Sequence, residues 1–175
     1  MFSQKILKII LVFSLIGFSL NTNLVHLDTL LSLNTVNYTE IEQKKKCISE
    51  ALYYEARGEG EQGMRYVLSV IHNRKNTKGF PDSYCKVIHQ PKQFSYRNHV
   101  RPGLNVTVRP IHPGDKQSYR LASAIAEEAV YGRFEPLLPR DVLWYHTDEV
   151  KPRWAKAMQK IKSIAGHHFL AKRKD

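Results

Sequence analysis

The sequence predicts a helix-rich α+β domain. Three observations carry this. Apolar residues recur at helical spacing in four separate stretches. One short segment alternates as a strand does. Between them lies a long stretch rich in proline and glycine, too irregular for either. The 175 residues suit one domain with a short extra segment at one end. Apolar residues make up 42% and charged residues 25%, which excludes wholesale disorder and collagen-like designs. No internal repeat points to a solenoid or propeller.

The elements follow in order. Over residues 42–57, Ile48, Ala51, Leu52 and Glu55 fall at i, i+3, i+4 and i+7, one face of a helix, and Gly58 ends it. Met64, Val67, Leu68 and Ile71 repeat the spacing and predict a helix over 61–74. Gly79-Phe80-Pro81-Asp82 reads as a turn, and 84–90 as a short helical or extended piece. Residues 91–117 are irregular, with a candidate strand at Val106-Thr107-Val108. Long irregular segments in a compact domain are usually functional. Leu121, Ala122, Ile125 and Ala129 predict a helix over 116–131, stopped by Gly132. Val142–His146 alternates as a strand. A last helix is predicted over 152–165, with Trp154, Ala157, Met158, Ile161 and Ile164 on its buried side and Gly166 as its cap.

The N-terminus reads as a targeting segment. Lys5 and Lys8 precede an apolar run from Ile9 to Leu20, as in a secretory signal or an uncleaved signal-anchor over 5–20. The organisation expected is therefore a signal or anchor at 1–21, a polar linker at 22–43 and a folded domain at 44–172. Export to a periplasm or cell wall, or anchoring in an inner membrane, follows from the first segment. In an oxidising compartment Cys47 and Cys85 either pair or remain as two buried thiols.

Charge narrows the partners. The net charge is +11, and residues 150–175 hold eight basic residues against one acid. Such a surplus favours an anionic surface, either a cell-wall polymer or a membrane, or else acts as a solvated face. The export signal and the lack of a reader motif count against nucleic acid. No HExxH occurs, and His167-His168 is poor metal spacing, so neither metal nor cofactor is expected.

Glu55 is the candidate catalytic residue. A carboxyl on an apolar helical face is costly to charge, so its pKa should rise, and a carboxyl protonated near neutral pH is what a general acid requires. A single such acid suffices for one glycan chemistry, in which the sugar's own 6-hydroxyl replaces water and no second carboxylate is needed.

Several motifs then fall in order: Tyr53-Tyr54-Glu55-Ala56-Arg57-Gly58-Glu59-Gly60 with Cys47 before it, His72-Asn73-Arg74, and Phe80-Pro81-Asp82-x-x-Cys85-x-Val87-Ile88-x-Gln90. Gln93-Phe94-Ser95, Leu143-Trp144-Tyr145-His146, Val150-x-Pro152-x-Trp154 and Ile164-Ala165-Gly166-His167-His168-Phe169 complete the series. Over about residues 47–169 the chain resembles the SleB-type cell-wall hydrolases, named for a spore-cortex-lytic enzyme. Lys92 departs from that pattern, standing where many relatives carry another cysteine. The resemblance implies a fold similar to lysozyme and lytic transglycosylases. It also implies cleavage of peptidoglycan between N-acetylmuramic acid and N-acetylglucosamine, with Glu55 as acid and base. Glu59, Gln93, Ser95, Tyr145, His146 and His168 are the candidate substrate contacts, with one of Tyr145 and His146 facing the cleft because neighbours on a strand alternate. The competing readings are a water-using muramidase assisted by Glu59 or another acid and a non-catalytic wall-binding module.

Overall fold

The computed structural model describes residues 32, 35, 37–97, 114–164 and 166–174. The signal or anchor segment at 1–21 and the candidate strand at Val106–Val108 lie outside the described residues. The chain divides into Met1–Ile41 and Glu42–Asp175. In the first unit the described residues are helical, and among the described residues of the whole chain no helix is long and apolar enough to cross a membrane. Of the linker expected at 22–43, the described residues are helical. Hydroxyls that favour loops are satisfied within the helix: Thr39 donates to the Thr35 carbonyl at 2.9 Å.

In the second unit α1 (42–56) runs into a turn at 57–59, followed by α2 (Gly60–Lys75), α3 (Tyr84–Ile88) and a 3₁₀ turn at Ser95–Arg97. Then come α4 (Asp115–Val130), β1 (Val142–Thr147), a 3₁₀ turn at Arg153–Ala157, β2 (Met158–Ile164) and β3 (His167–Lys172). The three strands form an antiparallel sheet in the order β1-β3-β2. The helix-rich α+β class therefore holds.

The apolar rows of the sequence meet as expected. Ile48, Ala51 and Leu52 of α1, Met64, Val67, Leu68 and Ile71 of α2, and Ala122 and Ile125 of α4 pack into one core with Val87, Ile88 and Phe94. A second cluster joins α2 to the sheet through Tyr66, Val70, Val142, Phe169 and Ala171, and Tyr145 packs against both. Polar bonds set how the helices meet. Arg65 grips both oxygens of Glu128 at 2.8 and 2.7 Å, tying α2 to α4. Lys45 reaches Glu127 at 2.8 Å, tying α1 to α4. Ser83 caps α3 by accepting the Lys86 N–H. A disulfide joins Cys47 of α1 to Cys85 of α3, so the cysteines are paired.

The helix expected over 152–165 is not formed. Residues 153–157 make a 3₁₀ turn, and 158–164 are strand β2 of a hairpin that turns at Gly166, whose φ is +69°. Two facts explain the difference. Apolar residues at 158, 161 and 164 also fit a strand whose register shifts, as it does between Lys160 and Lys162. The central strand β3 is largely buried, and its backbone groups need a partner on each side. Trp154 and Ile161, assigned to a buried helical face, are instead 42% and 37% exposed.

Candidate active site

Glu55 lies in the last turn of α1, on the row of Ile48, Ala51 and Leu52, each fully buried. That row draws Glu55 partly inward. Beyond it the chain turns away, with the Glu59 N–H on the Ala56 carbonyl at 3.0 Å and Gly60 at φ +67°. The carboxyl is left half-buried at the wall of a cleft of about 560 Å³. Burial raises its pKa above the ordinary carboxylate value, and the Tyr145 hydroxyl and His167 pull partly against that rise.

Tyr145 comes from β1, where its ring is wedged between the two cores. Its hydroxyl donates to Glu55 Oε2 at 3.0 Å. Enclosure pushes the phenol well above its ordinary pKa, so it stays protonated and acts as a donor. Its ring lies 5.9 Å from Phe169 and 5.4 Å from His167, which holds the hydroxyl in place.

Arg74 also lines the cleft. It continues the row of Val67 and Ile71 and is 5% exposed. Its Nε donates to the Leu143 carbonyl at 2.7 Å, and its Nη1 to Gln93 Oε1 at 3.0 Å. It thereby fixes the position of Gln93 in the loop after α3. Lys92, Gln93 and Ser95 of that loop line the cleft.

The third side is aromatic and apolar: Trp144 and His146 from β1, then Trp154 and Met158. His146 meets the Trp154 ring edge-on at 5.9 Å. Both Tyr145 and His146 therefore line the cleft, where alternation predicted one. Tyr145 reaches it from the core side by its hydroxyl, and His146 from the other face.

Two expected residues are placed elsewhere. His168 pairs with His146 across the strands and bonds Asp148 at 2.6 Å and Ser163 at 2.7 Å, and it is not among the cleft-lining residues. Glu59 sits over the hairpin turn, its Oε2 3.9 Å from His167 Nδ1, and also lies off the lining. Sequence reasoning missed Arg74, Lys92 and Trp144. Arg74 had a readable signal, a charge on the apolar row of α2. Among the described residues no three His, Cys, Asp or Glu side chains gather as metal ligands.

Chemically, the cleft offers one carboxyl whose pKa burial raises, a phenol to steady its anion, the Gln93 amide held by Arg74, the Ser95 hydroxyl, and an aromatic side. Comparison with known proteins bears on the family and the fold. The Cell Wall Hydrolase family profile matches residues 58–170, beginning three residues after Glu55. The spore cortex-lytic enzyme of Bacillus subtilis (strain 168) is 28% identical over 126 residues, 71% of this chain and 36% of the relative. That of Oceanobacillus iheyensis is 31% identical over 124 residues, 70% of this chain and 39% of the relative. The chain thus spans well under half the length of either curated relative. Among solved structures, the catalytic domain of the Bacillus cereus SleB protein superposes with a TM-score of 0.52 at 23% identity, covering 74% of this chain and 90% of that one. The catalytic domain of the germination-specific lytic transglycosylase SleB from Bacillus anthracis gives 0.53 at 23% identity, covering 73% and 93%. At that identity the likeness is one of fold.

Proposed function

The chain belongs to the cell wall hydrolase family, and we propose that it cleaves peptidoglycan strands at the N-acetylmuramic acid–N-acetylglucosamine bond by lytic transglycosylation. The observation that carries the reading is Glu55: it is the one carboxyl group among the described residues lining the cleft, and its surroundings favour the protonated form. In the first step the Glu55 carboxyl gives its proton to the glycosidic oxygen as the C1–O bond breaks. The resulting carboxylate accepts the Tyr145 hydrogen bond. In the second step it takes the proton from the muramyl 6-hydroxyl while O6 bonds to C1. The product is a 1,6-anhydro end, and Glu55 is returned protonated. Gln93 and Ser95 face the sugar's N-acetyl and hydroxyl groups, and the Trp154 side offers a surface for the ring.

The same chemistry run with water would make a muramidase. Glu59, off the cleft lining and beside His167, is poorly placed to activate that water. The chain would act outside the cytoplasm after export directed by residues 1–21. Basic residues of 150–175, exposed for the most part, would hold it on an anionic surface, wall polymer or membrane leaflet.

Mass spectrometry of purified cell wall digested by the protein tests this. Anhydro ends are expected; reducing ends would make it a muramidase, and no fragments a binding module. Glu55→Gln keeps the shape but carries no transferable proton, so activity should fall by ~10²–10⁴-fold with the fold intact. Activity within a few-fold of the wild type would overturn the assignment.

A further inference from the structure

We infer that Lys92 is a specificity residue that reads the carboxylates of the peptide stem on the muramyl sugar, so that the enzyme prefers peptide-bearing glycan over bare glycan. This rests on the proposed function, and extends it from the bond cleaved to the form of the strand.

Lys92 lies in the turn Gln90-Pro91-Lys92-Gln93, closed by the Gln93 N–H on the Gln90 carbonyl at 3.3 Å. Proline at the second position and a positive φ at the third is the pattern of a type II turn. Its third position favours glycine or asparagine, because a Cβ there is strained. Here it holds a lysine at φ 62°, the one non-glycine residue with positive φ among the described residues. The turn itself does not need this side chain, and glycine would relieve the strain. Strained residues of this kind gather at functional sites.

The side chain is exposed, lines the same cleft as Glu55, and forms no ion pair among the described residues. The other lasting cation of the cleft wall, Arg74, is buried and committed to the Leu143 carbonyl and Gln93. Among the described residues the cleft therefore presents one available ammonium, next in sequence to the Gln93 amide that Arg74 fixes. In a peptidoglycan strand every second sugar bears a lactyl-linked peptide with free carboxylates. A strand with its scissile bond at Glu55 brings such a branch into the cleft. An ammonium on a flexible stem suits a mobile carboxylate, where a rigid guanidinium fork is not required.

The test compares two substrates: glycan strands with intact stems, and the same strands stripped of peptide by an amidase. The quantity read is the ratio of kcat/KM on the first to that on the second. The wild type should favour stemmed strands. Lys92→Ala and Lys92→Gly should lower the ratio about fivefold, the equivalent of ~1 kcal/mol at the upper end for an exposed ion pair. Lys92→Arg should stay within about twofold. Added salt should lower the wild-type ratio toward that of the variants. Lys92→Gly should also be at least as heat-stable as the wild type, which separates recognition from a structural role. A ratio unchanged in Lys92→Ala and Lys92→Gly, or equal losses on both substrates, overturns the inference and leaves the proposed function standing. A wild type that cleaves neither substrate overturns the proposed function and this inference with it.

Discussion

The disulfide permits a prediction whose size follows from the chain itself. Cys47 and Cys85 are separated by 38 residues and close a loop that contains all of α2. Replacing both by alanine frees that loop in the unfolded chain. The chain-entropy relation for a loop of this length gives ~4 kcal/mol. Cys47 is 6% exposed, so its truncation adds a small packing loss. For a domain the size of Glu42–Asp175, each kcal/mol moves Tm by about 3–5 °C, so the variant should melt roughly 12–20 °C lower. Cys47 stands eight residues before Glu55 on α1, about 12 Å along the helix. The bond should therefore act on stability, and kcat/KM well below Tm should stay within about twofold. The assay is thermal unfolding by circular dichroism on three samples: oxidised wild type, wild type under reductant, and Cys47→Ala/Cys85→Ala. The last two should both fall well below the first, the variant slightly lower by the packing loss at Cys47. Thiol titration of the denatured, unreduced protein should find no free thiol. A variant melting within about 3 °C of the oxidised wild type would refute the loop-entropy argument.

Two further predictions concern the cleft and the basic segment. Tyr145→Phe removes the donor that favours charged Glu55, so the carboxyl pKa rises further; Glu55 must be protonated to start the reaction, so the alkaline limb of the kcat/KM profile moves to higher pH. The rate at the optimum falls about tenfold or more through the lost bond to the carboxylate, and a limb that moves down in pH sinks the account. Binding to insoluble wall should weaken with added salt, and Lys156→Gln/Lys160→Gln/Lys162→Gln should lower wall retention more than turnover of soluble fragments; pelleting assays at rising ionic strength read the first, and salt-insensitive binding discards docking.

What the sequence made legible was the helical core and the acid it carries. Glu55 stood out because it fell on a row of residues that had to be buried, and the structure places it at the edge of that row. The same logic applied to α2 would have singled out Arg74, which extends the row of Val67 and Ile71. Tyr145 was legible as a strand residue, but its hydroxyl reaches Glu55 across a separation of 90 residues, and local pattern carries no such information. Lys92 was hidden for a different reason. In the sequence it was marked only as a departure from the family pattern, and a lysine in a loop is ordinary; its place in the cleft and its strained turn are visible only in the structure.

The hairpin was misread because its pattern satisfies two periods at once, and the deciding fact lies in another element. Strand β3 is largely buried and central, so its backbone must be paired on both sides, and 158–164 is the segment that supplies the second partner. That outcome changes what the charge means. On a helix the lysines would form one solvated face. On β2, an edge strand, Lys160 and Lys162 stand where a second sheet would otherwise pair, and lysine at an edge blocks such pairing. Edge protection accounts for those two residues. It does not account for Lys151, Arg153 and Lys156, which precede the strand and are exposed as well. Charges that guard an edge need only lie on it, whereas charges that dock a polymer extend past it. The proposal that the basic run docks the chain therefore turns on Lys151, Arg153 and Lys156, and replacing these three by glutamine should lower wall retention while leaving the edge strand protected.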